Sequence, residues 1–83
     1  MINMVILVGN LGRDPEVGTT PTAGRRYARL SLATSVTWRD KVTGEKREKT
    51  DWHRIVAWGD GIASMLEKYA KKGSKLYVQG KLQ

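Results

Sequence analysis

The segment Trp52-His53-Arg54-Ile55-Val56-Ala57-Trp58 holds the residue types best suited to gripping a flat, charged polymer. In a strand, successive side chains point to opposite faces. One face then carries Trp52, Arg54, Val56 and Trp58, and the other carries His53, Ile55 and Ala57. Indole faces offer stacking area to nucleobases, and a guanidinium adds charge and cation–π attraction. Trp38 lies just before the charged segment that leads into this strand. The chain has three tryptophans and no phenylalanine, and all three fall between positions 38 and 58. Core packing alone does not account for that clustering.

The charge balance points the same way. Lys and Arg total 15 against 8 acids, a net charge of +7, which favours a polyanionic partner. Residues 25–54 hold nine basic and four acidic residues, so +5 of that +7 overlaps the tryptophan cluster. The alternative is a basic surface with no specific partner. The absence of cysteine excludes disulfides and thiolate metal sites, and fits a reducing compartment. No run approaches the ~20 apolar residues of a membrane helix. Met4–Val8 is a short apolar run without the basic lead of a signal peptide. At 83 residues the chain makes one small domain, 1–83, with a modest core.

The elements that must position these residues can be read from periodicity. Met4–Val8 is apolar and mostly β-branched, which predicts a buried strand. Gly9–Pro15 then breaks it, and residues 16–24 predict a loop with room for a short strand. Residues 26–36 alternate, with Ala28, Leu30 and Leu32 inward and Tyr27, Arg29 and Ser31 outward. Residues 38–51 are strongly charged around Thr43-Gly44 and predict a long hairpin or a flexible loop. Ile62, Met65, Leu66, Tyr69 and Ala70 form one helical stripe. Asp60 is placed to cap that helix, Lys68, Lys71 and Lys72 to meet its C-terminal dipole, and Gly73 to close it. A last strand over 75–82 directs Leu76, Val78 and Leu82 one way and Lys75, Tyr77, Gln79 and Lys81 the other. The order is strand, strand, strand, helix, strand. This is an all-β fold with one helix, matching the Greek-key oligonucleotide-binding (OB) barrel except that its usual fifth strand is missing.

The blocks Met4–Glu16 (MVILVGNLGRDPE), Ser31–Ser35 (SLATS), Trp38–Lys41 (WRDK), Thr43–Glu45 (TGE), Trp52–Val56 (WHRIV) and Lys72–Ser74 (KGS) resemble, in order, bacterial and mitochondrial single-stranded DNA-binding protein. The match runs through nearly the whole chain. The resemblance implies OB-folds assembled as a homotetramer, with single strands wrapped over the surface; a dimer is the alternative assembly. It implies no catalytic activity, no cofactor and no membrane partner. It implies work in DNA replication, recombination and repair, in the bacterial cytoplasm at the nucleoid rather than the mitochondrial matrix. The chain stops at Gln83, before the family's fifth strand, linker and acidic tail. Tail-mediated recruitment of replication and repair proteins is therefore not expected of it.

The expected DNA-binding residues are Trp38, Trp52, Trp58, Arg54, Arg29, Arg13, Lys41, Lys46, Arg47 and Lys49. Several keep a structural alternative. Trp58 lies beside the helix start and suits packing as well as stacking. Arg13 sits in a glycine-rich turn that it could stabilise. The charged-segment residues mix with Glu45, Glu48 and Asp51 and could simply be solvated. His53, the only histidine, cannot build a metal site alone, and no nucleophile or carboxylate constellation accompanies it. The resemblance places it at a subunit interface; Tyr77, outward on the last strand, is a second candidate for a partner-chain contact. Alternatives to single-strand binding are an OB-fold primosomal adaptor, an RNA-binding module, or a truncated form that binds weakly.

Overall fold

A computed structural model describes residues 1–83. The elements are β1 (Val5–Leu11), β2 (Glu16–Thr19), β3 (Arg26–Arg39), β4 (Lys46–Trp58), α1 (Asp60–Tyr69) and β5 (Lys75–Gly80). All five strands belong to one antiparallel sheet. β3 is its spine. One edge of β3 pairs with β4 along its length, from Tyr27–Trp58 to Arg39–Lys46. The other edge is shared by β2, which takes Arg26–Arg29, and by β1, which takes Leu32 and Ala33. β1 then turns away and pairs with β5. β4 and β5 make no contact, so the sheet stays open between them.

The inward residues of β3 set the core. Ala28, Leu30 and Leu32 pack with Leu11 of β1 and with Ala63 and Leu66 of the helix. Six apolar residues are fully buried, so the domain leans heavily on each of them. α1 packs on β3, β4 and β2 and plugs one side of the curled sheet.

Several local expectations are corrected. β1 is not buried throughout. Leu7 and Leu11 turn inward, whereas Met4, Ile6 and Val8 are each more than half exposed. The helix and core cover only one face of β1, so strict alternation sends these three side chains out. Residues 16–24 do hold the short strand for which the loop had room, β2, paired to the start of β3. Asp60 is the first helical residue rather than the cap. Gly59 caps the helix at φ 121°, and its carbonyl accepts from Ala63 N–H at 3.0 Å. The helix ends at Tyr69, which leaves Lys71 and Lys72 beyond it and Lys68 alone in the last turn. Gly73 has φ 92° in the turn entering β5, where its N–H reaches Leu11 O, so it closes that turn and not the helix. The buried helical face is Ala63 and Leu66, while Ile62, Met65 and Tyr69 of the predicted stripe remain exposed. Leu82 lies past the end of β5 and is exposed, its backbone exchanging two hydrogen bonds with the Asn3 side chain.

The charged segment is a hairpin and not a loose loop. β3 and β4 continue as a two-stranded arm to Arg39 and Lys46. This arm gives the molecule extents of 56 × 34 × 18 Å and a radius of gyration of 15.9 Å. A compact chain of this length would have about 12 Å. The arm's tip is closed by Asp40. Its backbone N–H donates to Glu45 O at 2.8 Å, and its carbonyl accepts from Gly44 N–H at 2.9 Å. Its carboxylate accepts from Val42 N–H at 2.8 Å, Thr43 N–H at 3.1 Å and Arg47 Nε at 3.3 Å. The Thr43 amide first, then that of Val42, holds the Asp40 carboxyl below the usual range, with Arg47 adding to the effect.

A depressed carboxylate stabilises the tip above its ordinary range, and loses that contribution only as pH falls through the lowered folded value. The amide signals of Val42 and Thr43 should therefore titrate with a midpoint below the ordinary aspartate range in an NMR pH series. Asp40→Asn should abolish that titration and speed exchange of both amides.

Candidate nucleic-acid interface

The β3–β4 register places Ala33 opposite Trp52, Ser31 opposite Arg54, Arg29 opposite Val56 and Tyr27 opposite Trp58. Directly opposed residues share a face, and this face points away from the helix and core. Trp52 is 60 % exposed and Trp58 42 % exposed, so both indoles reach solvent. The expected alternation of the Trp52–Trp58 segment is realised.

Trp52 is the centre of an open cleft of about 470 Å³, lined by Gly12, Arg13, Ser31, Trp52 and Arg54. The small Ala33 opposite Trp52 leaves room for the indole to lie across β3 towards the end of β1. There it meets Gly12, whose N–H donates to Ser31 O at 2.9 Å and fixes the backbone under the ring. A Cβ at Gly12 would fall 2.7 Å from Cη2 of Trp52 and nearer still to Cζ3. Only glycine leaves the ring where it is. Neither Arg13 nor Arg54 makes an ion pair within the chain, so two guanidiniums face the cleft with their charge uncompensated.

The remaining cations divide in two groups. Arg29 points outward as expected but is engaged, 3.9 Å from Glu16 and 5.2 Å over the Tyr27 ring. Arg47 is held by Asp40 at 3.3 Å and Glu45 at 3.7 Å. Lys41, Lys46 and Lys49 on the arm carry no ion pair. Trp38 is 48 % exposed and pairs with Arg47 far out on the arm. It lies five positions along β3 from Ala33, the partner of Trp52, a run of about 17 Å. Its position in the alternation puts it on the opposite side of the ribbon from Trp52.

His53 and Tyr77 are not brought together. His53 is half-buried on the inner side of β4 opposite Leu32, with Nε2 2.8 Å from Thr34 Oγ1. Tyr77 is exposed on β5 opposite Val8, on a face shared with Ile6. Sequence reasoning missed two site residues. The Arg25 guanidinium lies 4.6 Å over the Trp58 ring, and Tyr27 meets the same ring edge-on at 5.6 Å. The only signal for Tyr27 was its outward parity in β3. For Arg25 there was none, because the contact crosses strands.

The match to known proteins agrees with this geometry. The model of the single-strand binding protein family matches residues 2–83.

The chain belongs to the single-strand binding protein family.

It is 52 % identical over 82 residues to the single-stranded DNA-binding protein of Rickettsia felis, covering 99 % of this chain and 53 % of that protein. Identity to the Rhizobium meliloti protein of the same name is also 52 % over 82 residues, covering 47 % of its length. The chain thus spans about half the length of these curated relatives. A solved Plasmodium falciparum SSB complex with ssDNA superposes with a TM-score of 0.85 at 41 % identity, covering all of this chain and 72 % of that one. A deletion mutant of the single-stranded DNA-binding protein from Thermus aquaticus gives 0.80 at 32 % identity, covering 99 % of this chain and 38 % of that one. These members of the family share the OB architecture, here with an open sheet.

Gly12→Ala should displace the Trp52 ring rather than the backbone, since only the ring's far rim is in the way. Near-UV circular dichroism and Trp emission should change, with stability lowered by less than about 1 kcal/mol. In a Trp52→Ala background the same substitution should have no spectroscopic effect.

Proposed function

We propose that this chain binds single-stranded DNA without sequence preference, by stacking unpaired bases on exposed indoles beside free guanidiniums. The observation that carries this reading is the Trp52 cleft, where an exposed indole sits between Arg13 and Arg54 and neither cation has an internal partner. Phosphates neutralise the two cations and release counterions, so affinity falls as salt rises. Every base has a π-face, which makes stacking tolerant of sequence. Duplex bases are already stacked and have no free face to offer. Lys41, Lys46 and Lys49 extend the positive track along the arm, and Trp38 supplies a further platform near its tip. Arg29 and Arg47 contribute less directly, because each would first have to leave an acidic partner. DNA rather than RNA is favoured by the Plasmodium falciparum relative, which was solved with ssDNA. The role is one of occupancy and not catalysis: coating and protecting single strands in replication, recombination and repair, in the bacterial cytoplasm at the nucleoid.

Self-association completes this reading. Met4, Ile6, Val8 and Tyr77 are each more than half exposed, and the β1–β5 register sets Val8 beside Tyr77. An exposed apolar sheet face of this kind suits burial against a second copy. Assembly to a homotetramer would let one strand cross several clefts. His53 joins the subunit contacts from the inner side of β4.

Titration with oligo-dT should quench tryptophan emission strongly at low salt and less at high salt, while duplex DNA leaves it unchanged. Trp52→Ala should weaken binding by about 1–3 kcal/mol, or about 5- to 150-fold. A folded protein that shows no quenching would remove the proposal. For assembly, Val8→Glu should lower the sedimentation coefficient towards that of the monomer at concentrations where the parent is oligomeric.

A further inference from the structure

The Trp58 ring is already occupied in the unliganded chain. Arg25 sits in the turn between β2 and β3, whose backbone is closed by three hydrogen bonds. Thr20 N–H donates to Arg25 O at 2.9 Å, Gly24 N–H to Thr20 O at 3.0 Å, and Arg25 N–H to Thr20 Oγ1 at 2.9 Å. The backbone of Arg25 is therefore anchored, while its exposed guanidinium is held by the indole at 4.6 Å. Its two neighbouring arginines are tied to acids: Arg26 to Glu67 at 3.5 Å, and Arg29 to Glu16 at 3.9 Å. Arg25 alone of the three has no acidic partner. Tyr27 braces the other component of the pair. Its ring meets Trp58 edge-on, at an interplanar angle of 60°. It is itself seated over Gly18, where a Cβ would fall 2.7 Å from Tyr27 Cζ. The indole is thus a held platform, and the guanidinium on it is a movable cover.

We propose that Arg25 and Trp58 form a hand-off subsite for one nucleotide of a single strand. The unpaired base takes the indole area that the guanidinium covers, and the guanidinium turns to that nucleotide's phosphate. This rests on the single-strand binding reading above and adds to it a residue pair and an exchange. The exchange is balanced in kind. A cation–π contact at an exposed site is weak, and it is replaced by a base–indole stack together with a charge-assisted hydrogen bond to phosphate. Arg25 is thus both the occupant of the subsite when empty and its phosphate ligand when filled. The subsite lies about 20 Å along β4 from Trp52, six residues at strand spacing, so it engages a separate nucleotide.

The test uses the whole chain labelled with 5-fluorotryptophan, with the Trp58 signal assigned by Trp58→Phe. In the free protein, Arg25→Ala should move the Trp58 fluorine signal and leave those of Trp38 and Trp52 in place. Saturating oligo-dT should move the Trp58 signal in the parent. The slope of log affinity against log salt should fall in magnitude by about 0.7 in Arg25→Ala, the loss of one phosphate contact on a single strand. Arg25→Lys, which keeps the charge, should retain most of that slope. A Trp58 signal unmoved by oligo-dT while that of Trp52 moves would overturn the hand-off. So would an unchanged salt slope, or tighter binding, in Arg25→Ala, since the guanidinium would then be only a competing cover. Failure of the parent to bind oligo-dT at all would overturn the binding reading and the hand-off together.

Discussion

The pairing of β3 with β4 decides which side chains of this chain face the same way. It runs unbroken from Tyr27–Trp58 to Arg39–Lys46. A slip of one residue would carry Trp52, Arg54 and Trp58 to the core side and push Ile55 and Ala57 into water. Burial of Ala28, Leu30 and Leu32 against Leu11, Ala63 and Leu66 opposes that slip. The same apolar contacts that hold the domain together therefore hold the aromatic face outward. Because β3 gives its second edge to β2 and then to β1, the register also sets what lies beside each indole: Gly18 and Tyr27 near Trp58, and Gly12 near Trp52.

Charge on this surface is sorted rather than spread. A net charge of +7 could belong to any basic surface. Here Arg26, Arg29 and Arg47 are tied to Glu67, Glu16, and Asp40 with Glu45. Arg13, Arg25 and Arg54 have no such partners and cluster at the indoles. Exposed ion pairs add little to stability, so the main effect of this sorting is on where free charge remains. It remains in the Trp52 cleft, over Trp58 and along the arm, and also at Lys68, Lys71, Lys72, Lys75 and Lys81 on the helix and β5 side.

Much of this was legible from the residues. The Trp52–Trp58 face follows from a period of two, and the helix and the long strands follow from apolar spacing. The family blocks were legible too, because they are contiguous. Three things were hidden for physical reasons. The arm could be read as a hairpin or a loop because its strands bury nothing, and only the cross-strand pairing decides for the hairpin. Met4, Ile6 and Val8 read as core because composition cannot tell a two-sided strand from one whose outer face is bare. The Arg25–Trp58 contact and the Gly12 and Gly18 seats depend on register, which joins residues nine or more positions apart and leaves no local trace.

The Asp40 tip has a consequence for timing. Its hydrogen bonds are all internal, made by Val42, Thr43, Gly44, Glu45 and Arg47. The tip therefore closes its own hydrogen bonds without help from a ligand. A disordered basic segment must lose conformational freedom at the moment it closes on a ligand. A preformed arm loses little, so capture need not wait for ordering. For a single strand bound as proposed, encounter is then governed by diffusion and by the pull of the arm's lysines on a polyanion, and release leaves a domain that needs no refolding.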